Sequence, residues 1–136
     1  MSLFTNQRLS IMPVVPDKYR GTELYHLVFS ELITAARYRG KVTYQEIAQI
    51  MGLPLVGSHM GRETGHILGE ISEDERANDR PLLSAVAVGV SGSPGTGFFA
   101  CARELGRLAD EGSDAERKFW ETERDACYEA WKRRLE

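Results

Sequence analysis

Thr43-Tyr44-Gln45-Glu46 constrains this chain more tightly than any other stretch. A threonine three residues ahead of a glutamate, directly before Ile47, Ala48, Ile50 and Met51, is a capping box. The Thr43 hydroxyl takes the N–H of the third helical residue, and Glu46 reaches back to the N–H of the cap. Gly52 stops this helix after two turns, and Pro54 forbids a simple continuation. So short a helix does not stand alone in water and must dock on neighbours. After the turn at 52–57, Ser58 is placed to cap a longer helix to about Arg76, with Met60, Thr64, Ile67, Leu68 and Ile71 as its buried stripe. A short helix, a glycine-bearing turn and a longer helix are the parts of a helix–turn–helix.

The flanking segments read around that centre. Residues 1–18, with Pro13 and Pro16 and no sustained period, form an extended N-terminal arm. From about Pro16 to Arg39 the apolar positions Leu24, Leu27, Val28, Leu32, Ala35 and Ala36 step by three and four, a helix ended by Gly40. Lys41-Val42 is a connector or an edge strand. Leu82–Val90 reads as a strand, with Val86, Val88 and Val90 on one side and Ala85, Ala87 and Gly89 on the other. Ser91–Gly97 is a turn, and Phe98-Phe99 opens a helix to Ala109. A second capping box, Ser113-Asp114-Ala115-Glu116, opens a last helix to about Arg134, striped by Phe119, Trp120, Cys127, Ala130 and Trp131. The expected fold is α+β and mainly helical: one domain over 19–136, with a winged helix-turn-helix core at about 40–99. A small β-hairpin or sheet, made by the 82–90 strand with Lys41-Val42 or a run near Phe98, and packed C-terminal helices at about 98–134 complete it.

A chain of 136 residues is long enough for one core. Its apolar runs fall far short of the ~20 residues of a membrane span. Met1–Arg8 lacks the apolar core of a secretory signal, so a cytoplasmic location is expected. Cys101 and Cys127 have no partner spacing and read as reduced. With His26, His59 and His66 as the only histidines and no C-x-x-C or H-x-x-x-H pair, neither a metal nor another cofactor is implied. The net charge of −3 is unevenly spread: residues 1–69 carry seven Lys/Arg against five Asp/Glu, whereas Asp110–Glu129 holds eight acids and three bases. A basic face in the first half is compatible with nucleic acid.

Several motifs bear on chemistry. Gly57, Gly61, Gly65 and Gly69 recur every four residues, and each interior glycine costs a helix about 1 kcal/mol relative to alanine. Close approach of another helix, or of a phosphate backbone, would offset that cost. Gly92-Ser93-Pro94-Gly95-Thr96-Gly97 fits half of a phosphate-binding loop, but Phe98 and Phe99 stand where the lysine and the metal-binding hydroxyl belong. Asp74, Glu75 and Asp79 read as a solvated helix end. Nothing places Cys101 beside His66 as a nucleophile and base. No catalytic constellation is complete, and a non-enzymatic protein is expected. On the longer helix, Ser58, His59, Arg62, Glu63 and His66 lie off the apolar stripe; Arg62 suits guanine, Ser58 and His59 suit phosphates, and Glu63 and Glu70 would repel them.

Gly40-Lys41-Val42-Thr43-Tyr44-Gln45-Glu46-Ile47-Ala48-Gln49-Ile50-Met51-Gly52 resembles the G-x-x-T/S-Y-x-E-I-A-x-x-x-G segment that opens the winged-helix domain of O6-alkylguanine-DNA alkyltransferases and their catalytically dead relatives. The family's Pro-Cys-His-Arg acceptor site has no counterpart near Leu83–Val90, so the resemblance implies the scaffold without alkyl transfer. Arg80–Val88 together with Gly92–Phe99 is similar to a family of uncharacterised bacterial and mobile-element proteins that carry a T-G-x-P-G-x-G-F turn, which brings no assigned activity. Two functions stay open. The first is a nucleic-acid-binding module, on duplex DNA, with Ser58, His59, Arg62 and His66 at the groove. In it Arg37, Arg39, Lys41 and Thr43 meet phosphates, and Ser93 and Thr96 stand in a wing formed by the Ser91–Gly97 turn. The second is a protein-interaction or inhibitor module of a bacterial or mobile-element system, whose acidic C-terminal helix imitates the charge of DNA.

Overall fold

The computed structural model describes residues 17–133. The arm expected over 1–18 therefore lies outside the described residues up to position 16. Helix α1 spans Glu23–Arg37, strand β1 Val42–Thr43, α2 Tyr44–Met51, α3 Ser58–Ala77, strand β2 Ala87–Val88, α4 Thr96–Glu104 and α5 Ser113–Trp131. The protein is mainly helical α+β. No helix among the described residues is long and apolar enough to cross a membrane.

The capping box at the start of α2 is present in full. Thr43 Oγ1 accepts from Glu46 N at 3.1 Å, and Thr43 N donates to Glu46 Oε1 at 2.8 Å. Elsewhere the starts differ from expectation. Helix α1 begins at Glu23 because Thr22 caps it, accepting from Tyr25 N, after Gly21 turns the chain at φ 85°. Gly57 and Gly112, not Ser58 and Ser113, are the caps of α3 and α5, and neither serine makes a capping bond there. Both glycines sit at φ near 100°, which carries the chain into the helix by a route a serine at that place would resist.

The expected strand at 82–90 is mostly something else. Leu83–Val86 is a 3-10 turn, and only Ala87–Val88 is extended, pairing in parallel with β1 in the register Val42 to Ala87 and Thr43 to Val88. The backbone of this segment does not need a ladder, because side chains satisfy it. Glu123 accepts from Leu82 N at 2.8 Å, Trp120 Nε1 donates to Ala85 O at 2.8 Å, and the Cys127 thiol reaches Leu82 O at 3.2 Å. With α1, α3 and α5 all packed on it, every residue from Leu82 to Val88 is buried, and the two faces do not alternate. Val90, expected on the same side as Val86 and Val88, is 92% exposed. After the turn the chain enters α4 without a returning strand, so the described sheet contains no antiparallel hairpin.

Helix α4 stops at Glu104, short of Ala109, because Gly106 takes the left-handed conformation at φ 78°. Helix α5 ends at Trp131, and Ala130 is exposed while Glu123 and Tyr128 take buried places beside Trp120 and Cys127. Arg39, not Gly40, adopts the left-handed turn after α1 (φ 57°), and Gly40 N then bonds back to Ala35 O at 2.8 Å.

Candidate nucleic-acid interface and cleft

Residues 17–22, read as arm and helix, form a strap across α3, and its backbone and side chains bind the acids of that helix. Glu70, fully buried, accepts from the backbone N–H of Lys18 at 2.7 Å and of Tyr19 at 3.1 Å. Glu63 takes the Lys18 ammonium at 2.7 Å and the Tyr19 hydroxyl. Arg20 spans Glu73 and Asp74 at 3.1 and 3.2 Å, and Asp74 also accepts from the Tyr25 hydroxyl. The bonds from Lys18 and then Tyr19 hold the Glu63 carboxyl down at about 2. Burial, and then Glu63, push the Tyr19 phenol up to about 12. Glu63 and Glu70 were expected to face nucleic acid and repel it; instead they are turned inward and paired. Asp74 and Glu75 are likewise no solvated helix end: Glu75 is fully buried against Arg80 at 2.7 Å.

What remains on the outward side of the first half of α3 is Ser58, His59, Gly61, Arg62 and Gly65, all exposed. Arg62 and His59 lie 3.4 Å apart through Nη2 and Nδ1. His66 belongs to the strap side, 3.1 Å from Glu70 and edge-on to the Tyr19 ring. Among the described residues, a Cβ placed at Gly61 or Gly65 meets no atom within 4 Å. The expected close helix packing is therefore absent at these two positions.

Both glycines line a cleft of about 280 Å³ between α3 and the start of α4. Met60, Leu68, Phe98 and the Tyr44 ring supply apolar walls, and Thr64, Ser72, Ser84 and Thr96 supply hydroxyls. No charged residue among those described lines it, so it suits a neutral group with a flat apolar face and a few hydrogen-bonding edges. At its inner end Ser72 and Ser84 share a 2.7 Å hydroxyl bond. The Tyr44 hydroxyl accepts from Gly95 N at 2.9 Å, which ties the start of α2 to the start of α4. Cys101 also lines the cleft; burial pushes its thiol up to about 11, partly offset by a bond with Ser72. Phe98, where a phosphate-binding loop would carry lysine, is buried in the core.

The remaining sequence candidates fall in different places. Thr43 spends its oxygen on the α2 cap. Lys41 Nζ lies 3.5 Å from Gly92 O, so Lys41 sits at the glycine turn, with its ammonium also over the Trp120 ring at 5.6 Å. Ser93 closes that turn, its carbonyl accepting from Gly89 N at 2.9 Å, and its hydroxyl meets that of Ser91. Arg39 stacks over Tyr128 at 5.2 Å and approaches Glu129 at 3.8 Å. Arg37 opens onto a separate groove on α1. Tyr44, Thr64, Ser72 and Ser84 were not read from sequence as site residues, although Thr64 was placed in the buried stripe of its helix. Tyr44 carried a signal, as the residue inside the capping box; the two serines carried none, because their meeting depends on the 3-10 turn. No protein-family model matches this chain, and no curated protein or solved structure matches it significantly.

Proposed function

We propose that this protein binds nucleic acid, duplex DNA above all, along the outward side of α3, in a non-catalytic role. One observation carries the reading. Gly61 and Gly65 bear the helix cost of glycine with none of the described residues packed on them, in a face from which the acids have been withdrawn. A glycine-smoothed, acid-free helix face with Arg62, His59 and Ser58 at its N-terminal end suits close approach of a phosphate backbone. Thr96 lines the same cleft, and Lys41, which reaches Gly92 O in the glycine turn, is offered as a flanking phosphate contact. The Cys101 thiol, pushed well above neutrality, and His66, held on the strap side, support binding rather than nucleophilic chemistry.

The acidic α5 has little free charge with which to imitate DNA: Glu116 pairs with Arg103, Glu123 with Arg107, and Glu129 with Lys132 and Arg39. A protein-docking reading draws on a different feature, the exposed Leu55 and Val56 in the turn between α2 and α3. Arg62→Glu separates the two. Fluorescence anisotropy with a labelled duplex at low salt is expected to show at least about tenfold weaker binding with an unchanged melting temperature. Equal affinity of variant and wild type would remove α3 from the interface.

A further inference from the structure

Among the described residues most cations of this acidic protein have carboxylate partners; of those that do not, Arg76 bonds to Leu105 O, Lys118 lies exposed on α5, and four others fall on two faces. Lys18, Arg20, Arg39, Arg80, Arg103 and Arg107 all have carboxylate partners. Arg62 and Lys41, which have none among the described residues, belong to the surface discussed above. Arg37 and Arg133 also have none, and they line one groove on the solvent side of α1 together with His26. That groove encloses about 610 Å³ and shares no lining residue with the α3 cleft. No acid lines it. Its remaining polar groups are the hydroxyls of Ser30 and Thr34, which with His26 repeat every four residues, about 6 Å apart along the helix. At its edge Tyr38 is 69% exposed, an aromatic face that nothing in the described chain covers.

From this arrangement we infer a second binding site, for an unpaired nucleic-acid strand, in the groove of His26, Arg37 and Arg133. Two guanidiniums without carboxylate partners offer forked donors to phosphodiester oxygens, and the hydroxyl row continues the donors along the path of a backbone. Tyr38 provides the stacking platform that a flexible single strand can use and a stacked duplex cannot. Charge complementarity selects an anionic occupant, and the exposed Tyr38 ring favours one that carries flat bases to stack beside its phosphates. The site concerns a face and a strand form that the duplex reading on α3 does not employ, so either can fail without the other.

The test is a salt-dependent anisotropy titration of a labelled oligothymidylate of about 15 nucleotides against the whole protein. Wild type is expected to bind, and Arg37→Glu/Arg133→Glu to bind at least about tenfold more weakly, with the salt slope reduced by about 1.4 for two lost phosphate contacts. Tyr38→Ala is expected to weaken binding by about 5- to 100-fold with little change in that slope. Arg62→Glu is expected to leave oligothymidylate binding intact while it weakens the duplex. All four side chains are exposed, and the fold of each variant is checked by circular dichroism. Absence of oligothymidylate binding by wild type, or equal binding by the Arg37/Arg133 variant, overturns the site. Loss with Arg62→Glu instead would place the strand on α3 and also overturn it. Equal competition by a phosphopeptide of similar charge would remove the stacking component and with it the single-strand assignment.

Discussion

Thr43 shows what one side chain can specify. Its oxygen closes the α2 cap, its own N–H is taken by Glu46, and its neighbour Tyr44 is thereby aimed at Gly95. Thr43→Ala removes the cap acceptor and is expected to lower stability by about 1 kcal/mol in urea denaturation; a change near zero would mean the helix start is held by other contacts. This much was legible in the sequence because a capping box acts over three residues and needs no tertiary partner. Ser58 and Ser113 misled by the same local rule. At each, a preceding glycine with positive φ offered the backbone a different entry, and the serine became the first helical residue. Left-handed Arg39 was equally hidden, since Gly40 beside it was the better candidate on chemistry alone.

At the level of elements, the strap and the 3-10 turn set the shape of the site. Lys18, Tyr19 and Arg20 take up the acids of α3 from outside, so the helix that seemed to carry repulsive glutamates presents a face without them. Glu63 has a folded pKa of about 2, below that of an unfolded glutamate near 4.3. The stability it contributes is therefore fully present above about pH 4.3 and is lost as pH falls toward 2. Lys18 is 49% exposed, and solvent screens part of that pair. Glu63→Gln is expected to lower the melting temperature at pH 7 and to leave a gap from wild type that closes between about pH 4.3 and 2. A gap that persists at pH 2 would assign the loss to packing. Sequence spacing set Glu63 off the apolar stripe and read both Glu63 and Glu70 as repelling phosphates, yet gave no sign that a segment 45 to 52 residues away would bury them. Residues 82–88 were misread for a related reason. They are apolar on both sides, and whether such a run becomes strand or 3-10 turn is decided by Trp120, Glu123 and Cys127 from α5.

For the whole molecule, the helical fold with a two-stranded parallel sheet positions one neutral cleft and a glycine-smoothed helix face next to each other. The existence and type of the helices were readable, since their apolar periods are long. The cleft was not, because its lining comes from α2, α3, α4 and the 3-10 turn at once. The four-residue glycine period, with Tyr44 in the capping box, was its sequence trace. Two offsets for its cost were open, helix packing and ligand approach. Among the described residues nothing packs on Gly61 or Gly65, which removes the first at those positions.

That contrast yields the most direct measurement: thermal stability and duplex-DNA affinity of the Gly61→Ala/Gly65→Ala protein, with anisotropy read at two salt concentrations. Both alanines fit the helix without a clash, so the variant should gain up to about 1 kcal/mol per site in stability. Its affinity for duplex should nonetheless fall about tenfold, because the added methyl groups hold the phosphate backbone away from the helix. A variant that is more stable and binds duplex as tightly as wild type would contradict α3 as the nucleic-acid face.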